Sequence, residues 1–242
     1  MKLAFISDIH GNCTALDAVL EDIRGREADE IYILGDLCYR GPEPKKSLDT
    51  VRSLHAQVIK GNADEWVVRG VRQGEVPDSA LGLMNEEREW TLSQLNEEDL
   101  GYLKELPESL HLQKDGVSIE AFHATPDSLF AIVPPGAAEE ELQAKLMKSA
   151  AADLYVYAHI HKPYIRYLDG RAVINTGSVG LPFDGLPLAS YAMVEIGRGG
   201  IHASIHRVAY DIEEVIRQYE AGEYPNRAMM AGILRSGRIQ AG

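Results

Sequence analysis

Leu3-Ala4-Phe5-Ile6-Ser7-Asp8-Ile9-His10-Gly11-Asn12 decides how this chain is read. Leu3 to Ile6 form a short apolar run with no polar interruption, a strand candidate. The run stops abruptly at a cluster of side chains able to hold a cation. Leu16, Val19, Leu20 and Ile23 follow at helical spacing, and Gly25 supplies a stop. The pattern then recurs. Ile31 to Leu34 ends at Gly35-Asp36, a helix over Pro44 to Leu54 turns Leu48 and Val51 inward, and Gln57 to Lys60 ends at Gly61-Asn62. This β-α-β-α-β order predicts an α/β fold with chemistry-capable residues at the carboxyl end of every strand, the edge where open α/β sheets bind ligands.

Residues 74–110 differ in character, with ten acidic residues against two basic ones. They read as two helices, about Asn85 to Leu95 and Asn96 to Glu105, stopped by Pro107. A solvated helical lobe and a lid that limits substrate size are both open readings of this insertion. Further strands are expected at Val117 to Phe122, Leu154 to Ala158, Tyr164 to Leu168, Ala172 to Ile174 and Ser190 to Ile196. In Ile201 to Val208, Ile201, Ala203 and Ile205 alternate with His202, Ser204 and His206. Helix resumes at Asp211 and is broken by Pro225. No internal repeat or low-complexity linker divides the chain, so one domain over residues 1–242 is expected, with the helical acidic insertion at about 74–110.

The composition is that of a globular protein, with 45% apolar and 25% charged residues in 242. Lys plus Arg is 24 against 37 Asp plus Glu, a net charge of −13. That balance argues against a polymeric nucleic-acid binder, which displaces counterions with a surplus of cations. It permits small phosphate substrates, because bound divalent cations invert the local field. No stretch approaches the ~20 apolar residues of a membrane span, and the apolar N-terminal run is too short for a signal peptide. A soluble, cytoplasmic protein without a membrane partner is expected. Cys13 and Cys38 are the two cysteines, so neither a disulfide framework nor a cysteine zinc cluster is expected; both read as small buried residues.

Asp8, His10, Asp36, Asn62, His123, His159 and His161 all fall at predicted strand ends. In an extended segment, residues i and i+2 point the same way, so Asp8 with His10 and His159 with His161 can each grip from one face. Two cations about 3.5–4 Å apart need roughly three or four ligands each and a bridging carboxylate. Seven donors with one shared aspartate fit that requirement. The adjoining glycines suit a chain that turns sharply at such a centre.

The ordered series Asp8-Ile9-His10, Gly35-Asp36, Gly61-Asn62, His123, Ala158-His159-Ile160-His161 and Asn175-Thr176-Gly177-Ser178-Val179-Gly180 resembles the motifs of the calcineurin-like metallophosphoesterases. It is similar in particular to their branch of small prokaryotic phosphodiesterases. The likeness extends to Glu89-Trp90-Thr91 and Val208-Ala209-Tyr210-Asp211, so it covers nearly the whole chain. It implies a four-layer α/β/β/α sandwich. Asp8, His10 and His161 would hold a first metal, Asn62, His123 and His159 a second, and Asp36 would bridge them. Manganese is the expected ion; iron, zinc, nickel and cobalt suit the same donors.

The departures from the family pattern carry information. The family commonly has His after Gly-Asn, where it assists the leaving group; here Ala63 stands there. The Asp that orients this His in the protein-phosphatase branch corresponds to Tyr39. Thr176 stands where Pro is frequent, in a loop that reads as structural. Arg40 falls just beyond the bridging aspartate, where a guanidinium can take a phosphate bidentately or simply face solvent. Asn12 is either a phosphate contact or a helix cap. Asp64 reads as the start of a helix, and Trp66 and Trp90 as packing anchors.

These features lead to a dinuclear metal-dependent phosphodiesterase acting on a small phosphate ester, a nucleotide among the candidates. Its chemistry would rest on Asp36, Asn62 and Arg40, with Arg40 and Asn12 binding substrate and a hydroxide bridging the cations attacking in line. A phosphomonoesterase, a protein Ser/Thr phosphatase and a dinucleoside polyphosphate hydrolase are the enzymatic alternatives. An interaction scaffold that keeps the fold is the non-enzymatic one. Restoring the absent acid tests the reading of position 63: Ala63→His is expected to change the relative rates on esters with good and poor leaving groups. Unaltered selectivity would mean that position 63 is remote from the chemistry.

Overall fold

The computed structural model describes residues 1–148 and 152–239. β1 (Lys2–Ile6) sits at the centre of a five-stranded sheet and is covered on both sides, which is why its sequence is apolar without alternation. Leu3 and Phe5 point into a core shared with a second sheet, whereas Ala4 and Ile6 point into a core shared with helices. β2 (Glu30–Ile33) pairs parallel to β1, with Leu3 opposite Glu30 and Ile6 opposite Ile33, and the short β3 (Gln57–Val58) pairs parallel to β2. On the other side lie the antiparallel strands β9 (Ala189–Gly197) and β10 (Gly200–Val208). Ile201, Ala203 and Ile205 of β10 pack on the inter-sheet core, as the alternation predicts.

The second sheet is built from β4 (Ser109–Lys114), β5 (Val117–Phe122), β6 (Leu154–Tyr157), β7 (Tyr164–Leu168) and β8 (Arg171–Asn175), in the order β4-β5-β6-β8-β7. Ile119, Ala121, Leu154, Val156 and Ile174 meet Phe5, Tyr32 and Val194 between the sheets. Helices close both outer faces. The first sheet is covered by α1 (Cys13–Gly25), α2 (Pro44–Ser53), α3 (Asn62–Arg69) and α5 (Glu97–Glu105), through Leu16, Val19, Leu48, Val67 and Leu103. The second is covered by α6 (Glu139–Leu146), whose Leu142 and Leu146 pack on Tyr155, Tyr157 and Val173. The result is the four-layer α/β/β/α sandwich.

α4 (Asp78–Leu92) lies in the acidic stretch and begins seven residues before the expected Asn85. It is not a purely solvated lobe. Leu81, Met84 and Leu92 pack on the helical core, and Glu87 and Thr91 are buried. At the other end of the sequence, α7 (Ile212–Ala221) and α8 (Arg227–Ser236) form a small core of their own with Leu181, separated by the turn that holds Pro225. α3 holds Asp64 in its first turn, as expected of a residue that starts a helix, whereas β4 and α6 are elements that the sequence pattern did not reveal. Among the described residues, no helix is long and apolar enough to cross a membrane.

Candidate metal centre

The carboxyl ends of β1 and β2 keep hydrogen bonding after both strands stop. Asp8 N–H donates to Gly35 O at 3.0 Å, His10 N–H to Asp36 O at 2.9 Å and Gly11 N–H to Leu37 O at 3.0 Å. The two loops therefore advance together and bring Asp8, His10 and Asp36 to one point. His161, from the loop after β6, completes a buried cluster with them whose donor atoms all lie within 4.8 Å of one another. Next to it, Asn62 Oδ1 lies 2.9 Å from His123 Nε2 and 2.7 Å from His159 Nδ1, and Asp36 Oδ1 is 3.5 Å from His123 Nε2. All seven residues expected as ligands thus meet at one sheet edge, with Asp36 between the two groups.

They do not meet by the extended geometry that Asp-x-His and His-x-His spacing suggests. Asp8, His10, Asp36, His159 and His161 all stand at positive φ, between 48° and 67°. Left-handed turns, rather than the alternation of a strand, bring each pair together. The conformation costs about 1 kcal/mol or more at each non-glycine residue.

Backbone carbonyls fix the histidine tautomers. His10 Nδ1 donates to Tyr39 O at 2.8 Å, His123 Nδ1 to Leu34 O at 2.6 Å, and His161 Nδ1 to Leu181 O. The second ring nitrogen, Nε2, is then a bare lone pair in each ring. Those lone pairs face other acceptors: His161 Nε2 lies 3.2 Å from His10 Nε2 and 3.1 Å from Asp8 Oδ1. Asp8 Oδ1 is buried without a hydrogen-bond partner. Acceptors gathered this closely in a dry pocket repel unless positive charge lies among them. The donor set, carboxylate and amide oxygens with imidazole nitrogens, fits divalent cations.

The electrostatics agree. Burial, reinforced by His161, lowers the His10 pKa to about 3; burial and His123 lower that of His159 to about 3. Both rings are therefore neutral, as ligands must be. Burial alone would raise Asp8, but His161 and its neighbours hold it below the ordinary carboxylate range. Asp36 moves the other way, raised by burial and by the adjacent charges of Asp8 and Asp64.

Supporting groups surround this centre. Ser7 Oγ donates to Asp8 Oδ2 at 2.7 Å and is met by the Thr176 hydroxyl at 2.6 Å, so Thr176 supports an aspartate of the cluster through Ser7. Asp64 does more than begin α3. Its carboxylate accepts from the backbone N–H of Asp36 (2.8 Å), Leu37 (2.9 Å) and Gly61 (2.8 Å), tying the loops after β2 and β3 together. At Gly61 a Cβ would lie 2.1 Å from Asp36 Oδ1, so only glycine fits there.

A cavity of about 150 Å³ opens over the cluster, lined by Arg40, Ala63, Trp66, Met84, Phe183 and five of the donors, His10, Asp36, Asn62, His159 and His161. Arg40 faces it, with Nε 3.2 Å from Glu87 Oε2 on α4. Glu87 is fully buried and has no hydrogen-bond partner, so its charge serves the guanidinium. Sequence reasoning missed Glu87, one acid among ten in its stretch, and gave Asp64 only half of its role. Met84 makes α4 a wall of the cavity, and Tyr39 OH donates to Met84 O at 2.7 Å, holding that wall to the loop. Asn12 does not line the cavity. Its Oδ1 caps α1 through Ala15 N–H at 3.0 Å and its Nδ2 donates to Gly180 O at 3.1 Å, the arrangement of the capping alternative.

The model of the calcineurin-like phosphoesterase superfamily domain matches residues 1–199. The chain belongs to that superfamily. A metallophosphoesterase from Sphaerobacter thermophilus is similar in structure, at a TM-score of 0.79 and 28% identity over 98% of this chain and 99% of that one. A hypothetical protein from Pyrococcus horikoshii shares the fold at a TM-score of 0.85, with 21% identity and 99% of each chain covered. An uncharacterized protein of Methanocaldococcus jannaschii is 29% identical over 92% of this chain and 93% of its own. In this calcineurin-like phosphoesterase the clamp made by Asp64 is open to direct test. Asp64→Ala strands three buried N–H groups and is expected to destabilise the protein by about 3 kcal/mol or more in urea unfolding, while Asp64→Asn, which keeps one acceptor, loses less. Equal, small losses for both would show that the clamp carries little.

Proposed function

We propose that this protein is a metal-dependent phosphodiesterase acting on a small phosphate ester in the cytoplasm. Asp8, His10 and His161 would hold one divalent cation, Asn62, His123 and His159 a second, and Asp36 both, with manganese the favoured ion. The observation that carries this reading is the set of bare imidazole lone pairs facing Asp8 and Asp36 beneath the Arg40 cavity. Bound cations would supply an acidified water and neutralise charge on phosphoryl oxygens.

The protein's own groups support the rest. Arg40, held by Glu87, is positioned to donate to a phosphoryl oxygen and orient the ester over the cluster. A lone guanidinium suits the single charge of a diester better than the double charge of a monoester. Ala63 borders the cavity without a proton to offer, which favours esters whose leaving group needs little protonation. Covalent catalysis by cysteine is disfavoured, because burial pushes both the Cys13 and Cys38 thiols up, away from the thiolate. Two free, buried thiols also agree with a cytoplasmic location.

Hydrolysis of bis-p-nitrophenyl phosphate and p-nitrophenyl phosphate, with manganese and with chelator, tests the proposal. The diester is expected to be preferred, and its cleavage to vanish with chelator and in Asp36→Ala. Preference for the monoester would replace the diesterase reading with a phosphomonoesterase. Asp36→Ala protein that keeps its metal and its activity would overturn the site assignment.

A further inference from the structure

The 150 Å³ cavity over the cluster has room for a phosphoryl group and little else, but it is not isolated. A larger groove of about 860 Å³ adjoins it and shares His159 and Phe183 with it. His159 is the one partly exposed member of the seven donors, so the metal centre opens toward this groove. The groove walls are apolar: Ile132, Pro134 and Pro135 from the segment after β5, Ile160 and Pro163 from the loop after β6, and Phe183.

The charged groups in the groove are Lys162, Asp184 and Arg238. Asp184 is already neutralised by an ion pair with Arg207. Lys162 and Arg238 have no carboxylate partner among the described residues. Arg238 is set in place by backbone geometry. α8 ends at Gly237 in the left-handed conformation (φ 63°), where a Cβ would fall 2.7 Å from Leu186 N. Gly185 N–H donates to Gly237 O at 2.8 Å, and a Cβ on Gly185 would meet Arg238 Nε at 2.8 Å. The guanidinium thus lies directly on the Gly185 backbone, at the edge of the groove.

We propose that this groove is a substrate subsite for a nucleotide carrying a second phosphate, with the base against the proline and isoleucine walls and that phosphate on Lys162 and Arg238. The assignment deepens the phosphodiesterase reading and rests on it for the position of the scissile phosphate. The chemistry follows from the walls and their charges. Apolar walls suit the face of a heterocycle, and unpaired cations in a chain of net charge −13 suit an anion. A long acyl chain would need an enclosed tunnel, whereas Ile132 and Ile239 at this groove remain 68% and 59% exposed. The second phosphate can sit on the 3′ oxygen or extend a 5′ polyphosphate; both present the same dianion.

Calorimetric titration of the manganese-loaded protein with inorganic phosphate, adenosine 5′-monophosphate, adenosine 5′-diphosphate and adenosine 3′,5′-bisphosphate reads the subsite without turnover. The monophosphate is expected to bind at least about tenfold tighter than phosphate, and one of the two bisphosphorylated nucleotides about tenfold tighter again. Whichever it is identifies where the second phosphate sits. Lys162→Ala/Arg238→Ala, with both changes on exposed side chains, should remove the second gain and keep the first. Four ligands binding alike, or a second gain that survives the double variant, would overturn the proposal. So would light scattering that shows a dimer dissociated by Ile132→Asp, since a second copy would then cover the groove. Ester cleavage with no nucleotide preference would remove the subsite and leave the phosphodiesterase reading standing. Nucleotide preference without cleavage of any ester would do the reverse.

Discussion

Buried acceptors that face one another without protons between them are the constraint on which the rest of this structure depends. His10, His123 and His161 each give their only N–H to a backbone carbonyl and turn a lone pair toward the carboxylates of Asp8 and Asp36. In a low-dielectric cleft such an arrangement raises the energy of the fold, and only positive charge relieves it. The cluster is therefore a place where stability is given up for the capacity to bind cations. The surrounding sandwich, with apolar cores on both faces of its central strands, supplies the stability that offsets it.

The cost is distributed over the loops. Five donors sit at positive φ, and Arg40 joins them at 70°. Each such residue holds its unfavourable conformation because its neighbours fix the backbone on both sides. Asp64 gathers three N–H groups from two loops, and the 175–180 run closes over the Ser7-Asp8 backbone, with Val179 N–H donating to Ser7 O and Gly180 N–H and Ser178 Oγ to Asp8 O. Rigid support of this kind keeps the donors preorganised, so little conformational entropy is lost when a cation or a phosphate binds. α4 extends the same support outward, because Glu87 sets the direction of Arg40 and Met84 bounds the cavity.

Much of this was legible in the sequence. β1 and β6 are buried on both faces, so they read as unbroken apolar runs, and the polar residues that end them stand out. β4 escaped because Ser109-Leu110-His111-Leu112-Gln113-Lys114 is a polar edge strand. α6 begins with Glu139-Glu140-Glu141, which in sequence resembles a solvated turn. The donors were legible as types at strand ends, but their left-handed turns were not, because Asp and His carry no local signal for positive φ as clear as glycine's. Asp64 and Glu87 matter through what the fold lays against them: backbone N–H groups for one, the Arg40 guanidinium for the other. Nothing in their spacing distinguishes them from ordinary acidic residues of a helix.

The central claim is that these seven side chains form two adjoining cation sites that share Asp36. Crystals grown with manganese, with anomalous difference density recorded at the manganese edge, test it most directly. Two peaks are predicted about 3.5–4 Å apart, one among Asp8, His10 and His161 and the other among Asn62, His123 and His159, with Asp36 between them. A cluster without a peak, or with manganese bound elsewhere on the chain, would contradict the account.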